Sequence, residues 1–376
     1  MLADCPQRGC ARQHPVPASG CRARRNPTEM HAVAVCCTYA QLSGDRRARV
    51  PQSPPGLVQP GIGVDEMGDP LGTCRSELRA HCYRMLGSAE DAEEVLQEVS
   101  LRAWRGRSTF EGRSSLRTWL HRIAVNACLN ELQRKERRVL PMGFGDPADP
   151  HTPLGEPLGE ALWLEPFPDD PEWNAVERES VELAFVAAVQ YLPANQRVAL
   201  IMFDVLGFSA SEIADAMDTT PVSVNSALQR ARKLVEEKLP ERTQRATLAA
   251  LGDEGQRRLV ASYTEALQQH DIDAMLALLT EDATWSMPPI PTWFHGHEAI
   301  AAFCADAPFN YRWRSRPARV NGQLAAASYW WVETAGAFVA YSLNVFSLRE
   351  NRISSIVSFI GAERFATFGL PPQLSG

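Results

Sequence analysis

The sequence predicts a multidomain fold in which two all-α units, the second a helix-turn-helix, precede an α+β unit. Apolar residues recur at helical spacing from Cys74 to Arg138 and again from Glu177 to Leu239. After a further helix-like stretch, Gln256–Leu279, the pattern changes to strand-like apolar runs at Ala283–Met287, Ala325–Glu333, Phe338–Leu348 and Ile353–Ile360. A chain of 376 residues that is 45% hydrophobic is long enough for two or three such cores.

Residues 1–70 are rich in Pro, Gly, Arg and Cys and lack sustained periodicity, which predicts disorder. No apolar core followed by a small-residue cleavage site is evident, as a secretory signal would require. An alternative is that translation begins downstream, for instance at Met67, so that this segment is not made. Five cysteines lie in this segment: Cys5, Cys10, Cys21, Cys36 and Cys37. Even when His14 is included as a possible ligand, their spacing matches no paired metal-binding pattern.

The remaining cysteines, Cys74, Cys82, Cys128 and Cys304, fall in apolar-periodic stretches, which predicts buried free thiols in a reducing cytoplasm. No apolar run approaches the roughly 20 residues of a membrane span. The net charge of −7 argues against indiscriminate coating of nucleic acid, so any DNA contact must be local. We therefore expect a cytoplasmic protein without membrane contact, metal or cofactor.

The first helical unit, residues 71–140, places Leu78, Cys82, Met85 and Leu86 on one apolar face and Val95, Val99, Leu101 and Trp104 on another. A polar loop, Phe110–Ser115, then precedes a helix with two different sides. Trp119, Ile123, Ala127 and Leu129 are predicted to be buried, whereas Arg117, His121, Arg122 and Asn126 form the other side. Capture of single-stranded DNA needs such a surface, because flipped bases stack on rings and bond to amides. The alternative is that these polar groups only face solvent.

Charge changes sharply after this helix. Six Arg or Lys against two acids lie between Leu116 and Arg138, whereas the segment from Pro141 to Glu177 has nine Asp or Glu and no Arg or Lys. Proline is frequent in the second segment, which predicts an acidic linker over residues 141–176.

The second helical unit, residues 177–240, contains the most informative stretch. Ser209 with Glu212 forms a capping box for a first helix, and Thr220 with Pro221 starts a second after a short turn. The second helix is predicted to bury Val222, Val224, Leu228, Ala231 and Leu234. It leaves Ser223, Asn225, Ser226, Gln229, Arg230, Arg232 and Lys233 for solvent or a ligand. Such side chains read base edges and bind phosphates, although a surface helical hairpin would show the same pattern.

These motifs, in this order and spacing, resemble the bacterial extracytoplasmic-function (ECF) sigma factors. The resemblance covers Cys74 to Leu239 and is carried by His81–Ser88, Asp91–Glu98, Phe110–Asn126 and the helix-turn-helix. The piece Trp163-Leu-Glu-Pro, the added C-terminal unit over residues 255–376 and the tail Phe368-Gly-Leu-Pro resemble a subgroup that carries a SnoaL-like cone domain. The resemblance implies a protein that binds core RNA polymerase, through its β′ clamp helices and β flap, and recognises promoter DNA.

The family's functional residues are implied at matching positions. Asp91, Glu94, Gln97 and Glu98 would face the β′ clamp helices. Phe110, Arg113, Ser114 and Ser115 would belong to the loop that traps a flipped base of the −10 element, with Asn126 in its pocket and Arg122 on the strand backbone. Ser223, Asn225, Ser226, Gln229 and Arg230 would enter the major groove of the −35 element. The family often has arginine at the position of Asn225, and the acidic linker would suit a cleft built for nucleic acid.

The cone domain predicts an apolar pocket, a candidate site for a small ligand, with lining residues among Tyr263, Trp285, Met287, Trp293, Phe294, Phe303, Trp330, Tyr341 and Phe346. Trp293 and Phe294 follow Pro288–Pro291 and are expected either to dock on another domain or to pack as core. Catalysis would need a buried base, for which Asp282, His295 and His297 are the nearest candidates. They fall in a turn or a polar loop, so we expect no catalytic residue and a regulatory role instead.

Two other functions stay open at this point. A helix-turn-helix regulator could bind duplex DNA without polymerase, and an isomerase or hydrolase could carry an attached DNA-binding module. The sequence does not decide whether an anti-sigma partner exists.

Overall fold

Three helices form the first helical unit of the computed structural model, which describes residues 71–159, 162–170 and 175–375. They are α1 (Arg75–Leu86), α2 (Ala89–Gly106) and α3 (Leu116–Leu132). Gly87 ends α1 at a φ of 72°, a value that favours glycine, and Ser88 caps α2 by accepting a hydrogen bond from the Asp91 amide. Ser115 caps α3 in the same way through the Thr118 amide. The break before α3 therefore falls at the polar loop that the sequence predicts, Phe110–Ser115.

The buried side of α3 differs from the prediction. Leu120, Ala124, Val125 and Cys128 are fully buried, whereas Trp119, Ile123 and Leu129 are only half-buried. His121, predicted to lie on the solvent side, is fully buried. Its imidazole bonds to a Glu77 carboxylate oxygen at 2.7 Å and packs against Phe208 of the second helical unit, with ring centres 5.0 Å apart. The prediction was wrong because tertiary packing against this second unit covers part of the polar side.

The second helical unit contains five helices: α4 (Ala175–Glu179), α5 (Leu183–Gln190), α6 (Ala194–Leu200), α7 (Ala210–Ala216) and α8 (Pro221–Glu236). A π-helical turn, Ile201–Val205, extends α6. The predicted capping box is present at Ser209 and Glu212, and Thr220 caps α8 by accepting from the Ser223 amide. The turn between α7 and α8 includes Asp218 in a left-handed conformation, with φ 49°.

The two helical units share one continuous apolar core. Arg117 joins them, since its guanidinium donates to the Leu206 carbonyl at 2.8 Å and lies over the Phe208 ring at 4.3 Å. Gln190 donates to the Arg84 carbonyl at the end of α1 at 3.1 Å, which satisfies one of the acceptors left open there. The first and second units therefore form a single packed body.

The C-terminal unit is a mixed sheet with helices. Its helices are α9 (Gln244–Gln269), α10 (Ile272–Leu278) and α11 (Gly296–Asp306), and α9 bends at Gly252. Its strands are β1 (Leu279–Met287), β2 (Ile290–His295), β3 (Trp313–Val320), β4 (Gln323–Val332), β5 (Ala337–Arg349), β6 (Arg352–Ile360) and β7 (Gln373–Leu374). The sheet order is β2-β1-β6-β5-β4-β3, with β7 paired to β5, and only β1 and β6 run parallel. Helix α9 begins at Gln244, upstream of residue 255, where the C-terminal unit was expected to start.

The four predicted apolar runs correspond to β1, β4, β5 and β6. No strand was predicted for β2 or β3, which lie at the two edges of the sheet. Each carries a proline, Pro291 or Pro317, and β3 also carries three arginines, as edge strands often do. Helices cover one face of the sheet around Tyr263, while the other face packs with Leu183 at the start of α5 and with Phe365.

One turn of the C-terminal unit contacts both helical units and the segment between them. Asn321 lies between β3 and β4 and is fully buried. Its amide nitrogen donates to the Tyr83 hydroxyl and to the Val181 carbonyl, both at 2.7 Å, and its amide oxygen accepts from the Phe167 amide at 2.9 Å. Gln323 accepts from the Leu183 amide at 2.8 Å. This turn therefore ties all three units together.

The acidic segment lies along the other units. Glu165 accepts from the Ser88 hydroxyl and the Ala89 amide, both at 2.9 Å, at the start of α2. Farther upstream, residues 145–158 follow strand β2. We call residues 145–158 the linker strap.

Cys82, Cys128 and Cys304 are buried free thiols, as predicted, and Cys74 is a half-buried one. The predictions for residues 1–70, including their cysteines and a start at Met67, lie outside the described residues.

Candidate nucleic-acid and polymerase interfaces

The polar face of α8 is accessible to a ligand. Ser223, Asn225, Ser226, Gln229 and Arg230 are all exposed, whereas Val224, Ala227, Leu228, Ala231 and Val235 are buried. The helical period explains the division, because positions three or four apart share a side. We call the exposed residues the α8 face.

Three residues of α8 depart from the prediction, of which Leu234 is only half-buried. Val222 was expected to be buried but is 75% exposed. It lies three, four and seven positions before Asn225, Ser226 and Gln229, and this spacing places it on the same exposed side of the helix. An exposed methyl-bearing side chain there can contact a thymine methyl group. Arg232 instead bonds within the domain, because its Nε and Nη2 atoms donate to the Asp204 carboxylate at 3.0 Å and 2.5 Å and its guanidinium lies over Phe203.

The loop before α3 presents the groups that were predicted for single-stranded DNA. The Phe110 ring packs on Trp119 with centres 5.1 Å apart, while Arg113, Ser114 and Ser115 are exposed. The Ser115 hydroxyl also serves as the α3 cap. Arg122 is exposed and Asn126, one turn later, is half-buried. The predicted residues thus lie on one continuous surface, which we call the α3 face.

Helix α7 and the turn after it lie opposite the α3 face. Arg122 contacts the Asp218 carboxylate at 3.3 Å, and the Thr118 hydroxyl bonds to Glu212 at 3.2 Å. Between the two surfaces is a space of about 700 Å³, with Arg113 and Ser114 on one side and three carboxylates, of Glu212, Asp215 and Asp218, on the other. Negative charge in this position repels DNA phosphates.

Burial raises the pKa of Glu212, but hydrogen bonds from Ser209 and Thr118 outweigh it, so that the pKa lies below its ordinary value. This carboxylate therefore stays ionised near neutral pH. Helix α7 and the turn after it thus cover the α3 face. We call this the closed arrangement of the two helical units.

The predicted polymerase contacts lie on α2. Glu94, Gln97 and Glu98 are exposed, but Asp91 is only 6% exposed. Its two carboxylate oxygens bind Lys135 and Arg138, each at 2.7 Å. Burial alone would raise the pKa of Asp91. The two cations lower it by more than burial raises it, so the pKa lies below its ordinary value. In this arrangement Asp91 therefore pairs with Lys135 and Arg138 instead of facing solvent, and its contact with polymerase stays a prediction.

Two further residues extend the exposed side of α2. Leu101 is 52% and Trp104 is 56% exposed, although both were predicted to be core. Leu101 follows Glu94 by seven positions and Trp104 follows Gln97 by seven, a spacing that places each on the same side as the earlier residue. This heptad spacing is the signal that the sequence interpretation missed. We call Glu94, Gln97, Glu98, Leu101 and Trp104 the α2 stripe.

Residues of the C-terminal unit, together with Leu154 of the linker strap, line a partly open cavity of about 160 Å³. Most of the residues predicted to line a pocket do so: Tyr263, Trp285, Met287, Phe303, Trp330 and Tyr341. Phe294 and Phe346 belong to the core around it. Trp293 instead donates from its indole nitrogen to the Gly145 carbonyl at 2.9 Å. Core packing was therefore the correct alternative for Phe294, whereas Trp293 contacts the linker segment and its docking on another domain stays a prediction.

The three candidate bases lie away from this cavity. Asp282, His295 and His297 are not among its lining residues. Asp282 is exposed in β1 and bonds to Arg349, which lowers the pKa of its carboxyl group to about 2. A carboxylate of such low basicity, outside the cavity, is unsuited to remove a proton from a substrate there.

Three family models match the chain. Residues 72–138 match Sigma-70 region 2, residues 182–235 match Sigma-70, region 4, and residues 260–356 match a SnoaL-like domain. The ECF RNA polymerase sigma factor SigG of Mycobacterium tuberculosis is 44% identical over 312 residues, which are 80% of this chain and 82% of that relative. The chain belongs to the ECF sigma factors.

Other similarities agree with this family. The RNA polymerase sigma-H factor of Pseudomonas aeruginosa is 30% identical over 156 residues, which cover 42% of this chain and 77% of that protein. The crystal structure of the M. tuberculosis ECF sigma factor SigJ matches with a TM-score of 0.50 at 19% identity, over 79% of this chain and 97% of that one. The predicted fold class, helical sigma domains followed by a SnoaL-like domain, is confirmed.

This sigma factor binds core RNA polymerase and recognises promoter DNA, as the sequence resemblance implied. We refer to the two helical units as the region 2 and region 4 domains, and to the C-terminal unit as the SnoaL-like domain. Across the described residues, no helix combines the length and apolar character needed to cross a bilayer. In the same residues no group of three or more His, Cys, Asp or Glu side chains is placed to bind a metal ion.

Proposed function

We propose that the sigma factor divides promoter recognition between the α8 face and the α3 face. Ser223, Asn225, Ser226, Gln229 and Arg230 enter the major groove of the −35 element. Phe110, Arg113, Ser114 and Ser115 form the loop that receives a flipped base of the −10 element, with Arg122 and Asn126 beside it. The observation that carries this assignment is the exposure of every α8-face residue while the intervening apolar residues are buried. Arginine and amide side chains supply the donors and acceptors that base edges require.

The α2 stripe is the surface for core polymerase. Its two exposed apolar side chains lie among carboxylates and an amide, which is the composition of a protein interface with a polar rim. We infer that Leu101 and Trp104 supply most of the binding energy, since large buried aromatic residues dominate such contacts. Glu94, Gln97 and Glu98 set the orientation on the β′ clamp helices.

The SnoaL-like domain regulates these activities and does not catalyse a reaction. In the closed arrangement the α3 face lies against Glu212 and Asp218, so the region 2 and region 4 domains must separate before DNA can bind there. The Asn321 turn contacts both domains at once and therefore stabilises the closed arrangement. The described lining of the domain's cavity contains no Asp, Glu, Lys, Arg or His, which supports a regulatory role over an enzymatic one. We place this work in the cytoplasm, where core polymerase acts.

Transcription with purified components tests the proposal. Fragmented genomic DNA is transcribed by core polymerase with and without the full chain, and sequencing of the transcripts identifies the dependent promoters. The double variant Leu101→Ala, Trp104→Ala should lose most polymerase binding in a pull-down while keeping its melting temperature, because both side chains are exposed. Lys233→Ala, an exposed change on a different helix, is the control. Unaltered polymerase binding by the double variant would exclude the α2 stripe as the interface.

A further inference from the structure

Strand β3 and the residues just before it carry only positive charge. Residues 307–332 contain no Asp, Glu, Lys or His, but they contain four arginines: Arg312, Arg314, Arg316 and Arg319. All four are exposed, in a chain whose net charge is −7. Positive charge is therefore concentrated at this edge of the SnoaL-like domain.

Three of these arginines form a row on one face of the sheet. The pairing of β3 with β4 is regular, and the Trp331 amide extends it by donating to the Arg312 carbonyl at 2.9 Å. Alternate residues of a strand share a face and lie about 6.6 Å apart, so Arg312, Arg314 and Arg316 point the same way. The Cζ atoms of Arg312 and Arg314 accordingly lie 5.9 Å and 4.7 Å from the centre of one ring, that of Phe338. We call Arg312, Arg314 and Arg316 the β3 arginine row.

The charge of this row is not compensated within the described residues. In the same domain Arg245, Arg258 and Arg349 each form an ion pair, but no carboxylate of the described chain pairs with a member of the row. Arg314 donates to the Ser375 carbonyl at 2.5 Å, which uses one of the five donors of its guanidinium group. Most donors of the row therefore remain for a bound anion.

The position of the row favours nucleic acid over an acidic peptide. A peptide that extends a sheet pairs with the backbone at its edge, whereas these guanidinium groups project from the face. The acidic linker of this chain binds elsewhere, because the linker strap follows β2 at the other edge and Phe167 bonds to Asn321. Guanidinium groups bind phosphates through paired hydrogen bonds, and a DNA backbone presents phosphates at regular intervals. Evenly spaced guanidinium groups therefore fit this backbone.

We propose that the β3 arginine row binds the phosphate backbone of duplex DNA, which gives the SnoaL-like domain a DNA contact of its own. The contact is independent of sequence, since phosphates carry no base information. It adds to base recognition by the α8 face and the α3 face and does not depend on either. Promoter DNA is thereby held by the SnoaL-like domain as well as by the two sigma domains.

The salt dependence of binding gives the size of the effect. A cation that neutralises one phosphate of duplex DNA contributes about 0.9 to the slope of log affinity against log salt concentration. Three such contacts contribute about 2.7. A rise from about 50 to about 200 mM salt therefore weakens DNA binding about 40 times more with the row than without it.

The full chain in complex with core polymerase, titrated onto a fluorescently labelled duplex promoter fragment at several salt concentrations, tests the proposal. The triple variant Arg312→Gln, Arg314→Gln, Arg316→Gln removes the charge but keeps polar stems on the same face, and its slope should be shallower by about 2.7. The variant Arg312→Lys, Arg314→Lys, Arg316→Lys should retain most of the wild-type slope, since lysine also binds phosphate. The matched control, Arg242→Gln, Arg257→Gln, Arg352→Gln, removes the same charge at exposed positions outside the row and should change the slope much less.

Equal slopes in the wild type and the glutamine variant of the row would overturn the proposal, and so would an equally large loss in the control. A lysine variant as shallow as the glutamine variant would also overturn it, because lost packing and not lost charge would then be the cause. Weaker binding to core polymerase with an unchanged DNA slope would show that the row binds an acidic protein surface instead. Oligomers of the glutamine variant with an unchanged slope would show that the arginines only protect the β3 edge.

Discussion

Replacing Asn321 by glycine should loosen the SnoaL-like domain from the two sigma domains without disturbing either fold. Asn321 has a φ of 56°, so glycine adopts its backbone conformation without strain. The change removes only the side chain, with its hydrogen bonds to Tyr83, Val181 and Phe167. Each of these bonds crosses from the SnoaL-like domain to another part of the chain. The substitution therefore tests the interface directly.

The size of the effect follows from these contacts. A neutral intramolecular hydrogen bond contributes about 1 kcal/mol net, so three of them contribute about 3 kcal/mol to docking. That free energy corresponds to about a hundredfold change in the ratio of docked to undocked molecules. The backbone bond from the Asn321 amide to the Phe167 carbonyl remains in the variant, and docking is weakened but not abolished.

Hydrogen exchange at the Leu183 amide measures docking, since this amide donates to Gln323 across the same interface. Its exchange should accelerate up to about a hundredfold in Asn321→Gly, and transcription from dependent promoters should rise because the closed arrangement is less stable. Asn351→Gly, in an exposed turn between β5 and β6, is the matched control and should change neither quantity. Wild-type exchange at Leu183 in the Asn321 variant would refute the reasoning about this interface, whereas accelerated exchange with unchanged transcription would refute only the regulatory step.

Three further predictions address DNA binding and pH. Asp218→Asn keeps a residue that tolerates the left-handed turn but removes the negative charge that contacts Arg122. Because this ion pair is exposed, binding of single-stranded −10 DNA should improve only about two- to fivefold in a fluorescence anisotropy titration. Weaker binding would contradict the proposal that Asp218 masks the α3 face. Arg230→Ala should reduce the binding free energy by about 1–3 kcal/mol at one position of the −35 element if Arg230 contacts a guanine edge, and should weaken binding to all sequences alike if it contacts phosphate. Gel shifts over altered −35 sites distinguish the two, and unchanged binding to every site excludes both. Burial raises the pKa of Glu182 to about 8 from 4.5, although it accepts backbone hydrogen bonds from Gln244 and Arg245. Its contribution to stability is therefore complete below pH 4.5 and lost as the pH rises through about 8. The free energy of unfolding measured with urea should accordingly fall with pH over this range, and the fall should be smaller in Glu182→Gln. An identical fall in the variant would show that another group titrates.

The sequence predicted local structure best where short-range rules decide it. The capping box at Ser209 and the Thr220-Pro221 start of α8 follow from the needs of the first backbone amides of a helix, and both are present. The exposure of the α8 face also followed from helical period alone. These features depend on neighbours within a few positions, so no tertiary information was needed.

Long-range contacts explain what the sequence did not predict. His121 is buried because Phe208, which is distant in sequence, packs against it, and Asp91 is buried because Lys135 and Arg138 surround it. A helical pattern records which residues share a side but not which partner covers that side. Leu101 and Trp104 show the opposite error. Their regular apolar spacing led to their assignment to the core, but the core does not extend to their part of α2, and both are exposed.

The position of the linker strap along β2 also bears on self-association. An edge strand that loses its cover commonly exposes a row of amides and carbonyls that can pair with another molecule. Within β2, only Pro291 lacks an amide hydrogen, so the other five residues of this edge strand can pair with a further strand. The docked strap therefore also protects this edge from pairing with a second copy of the sigma factor.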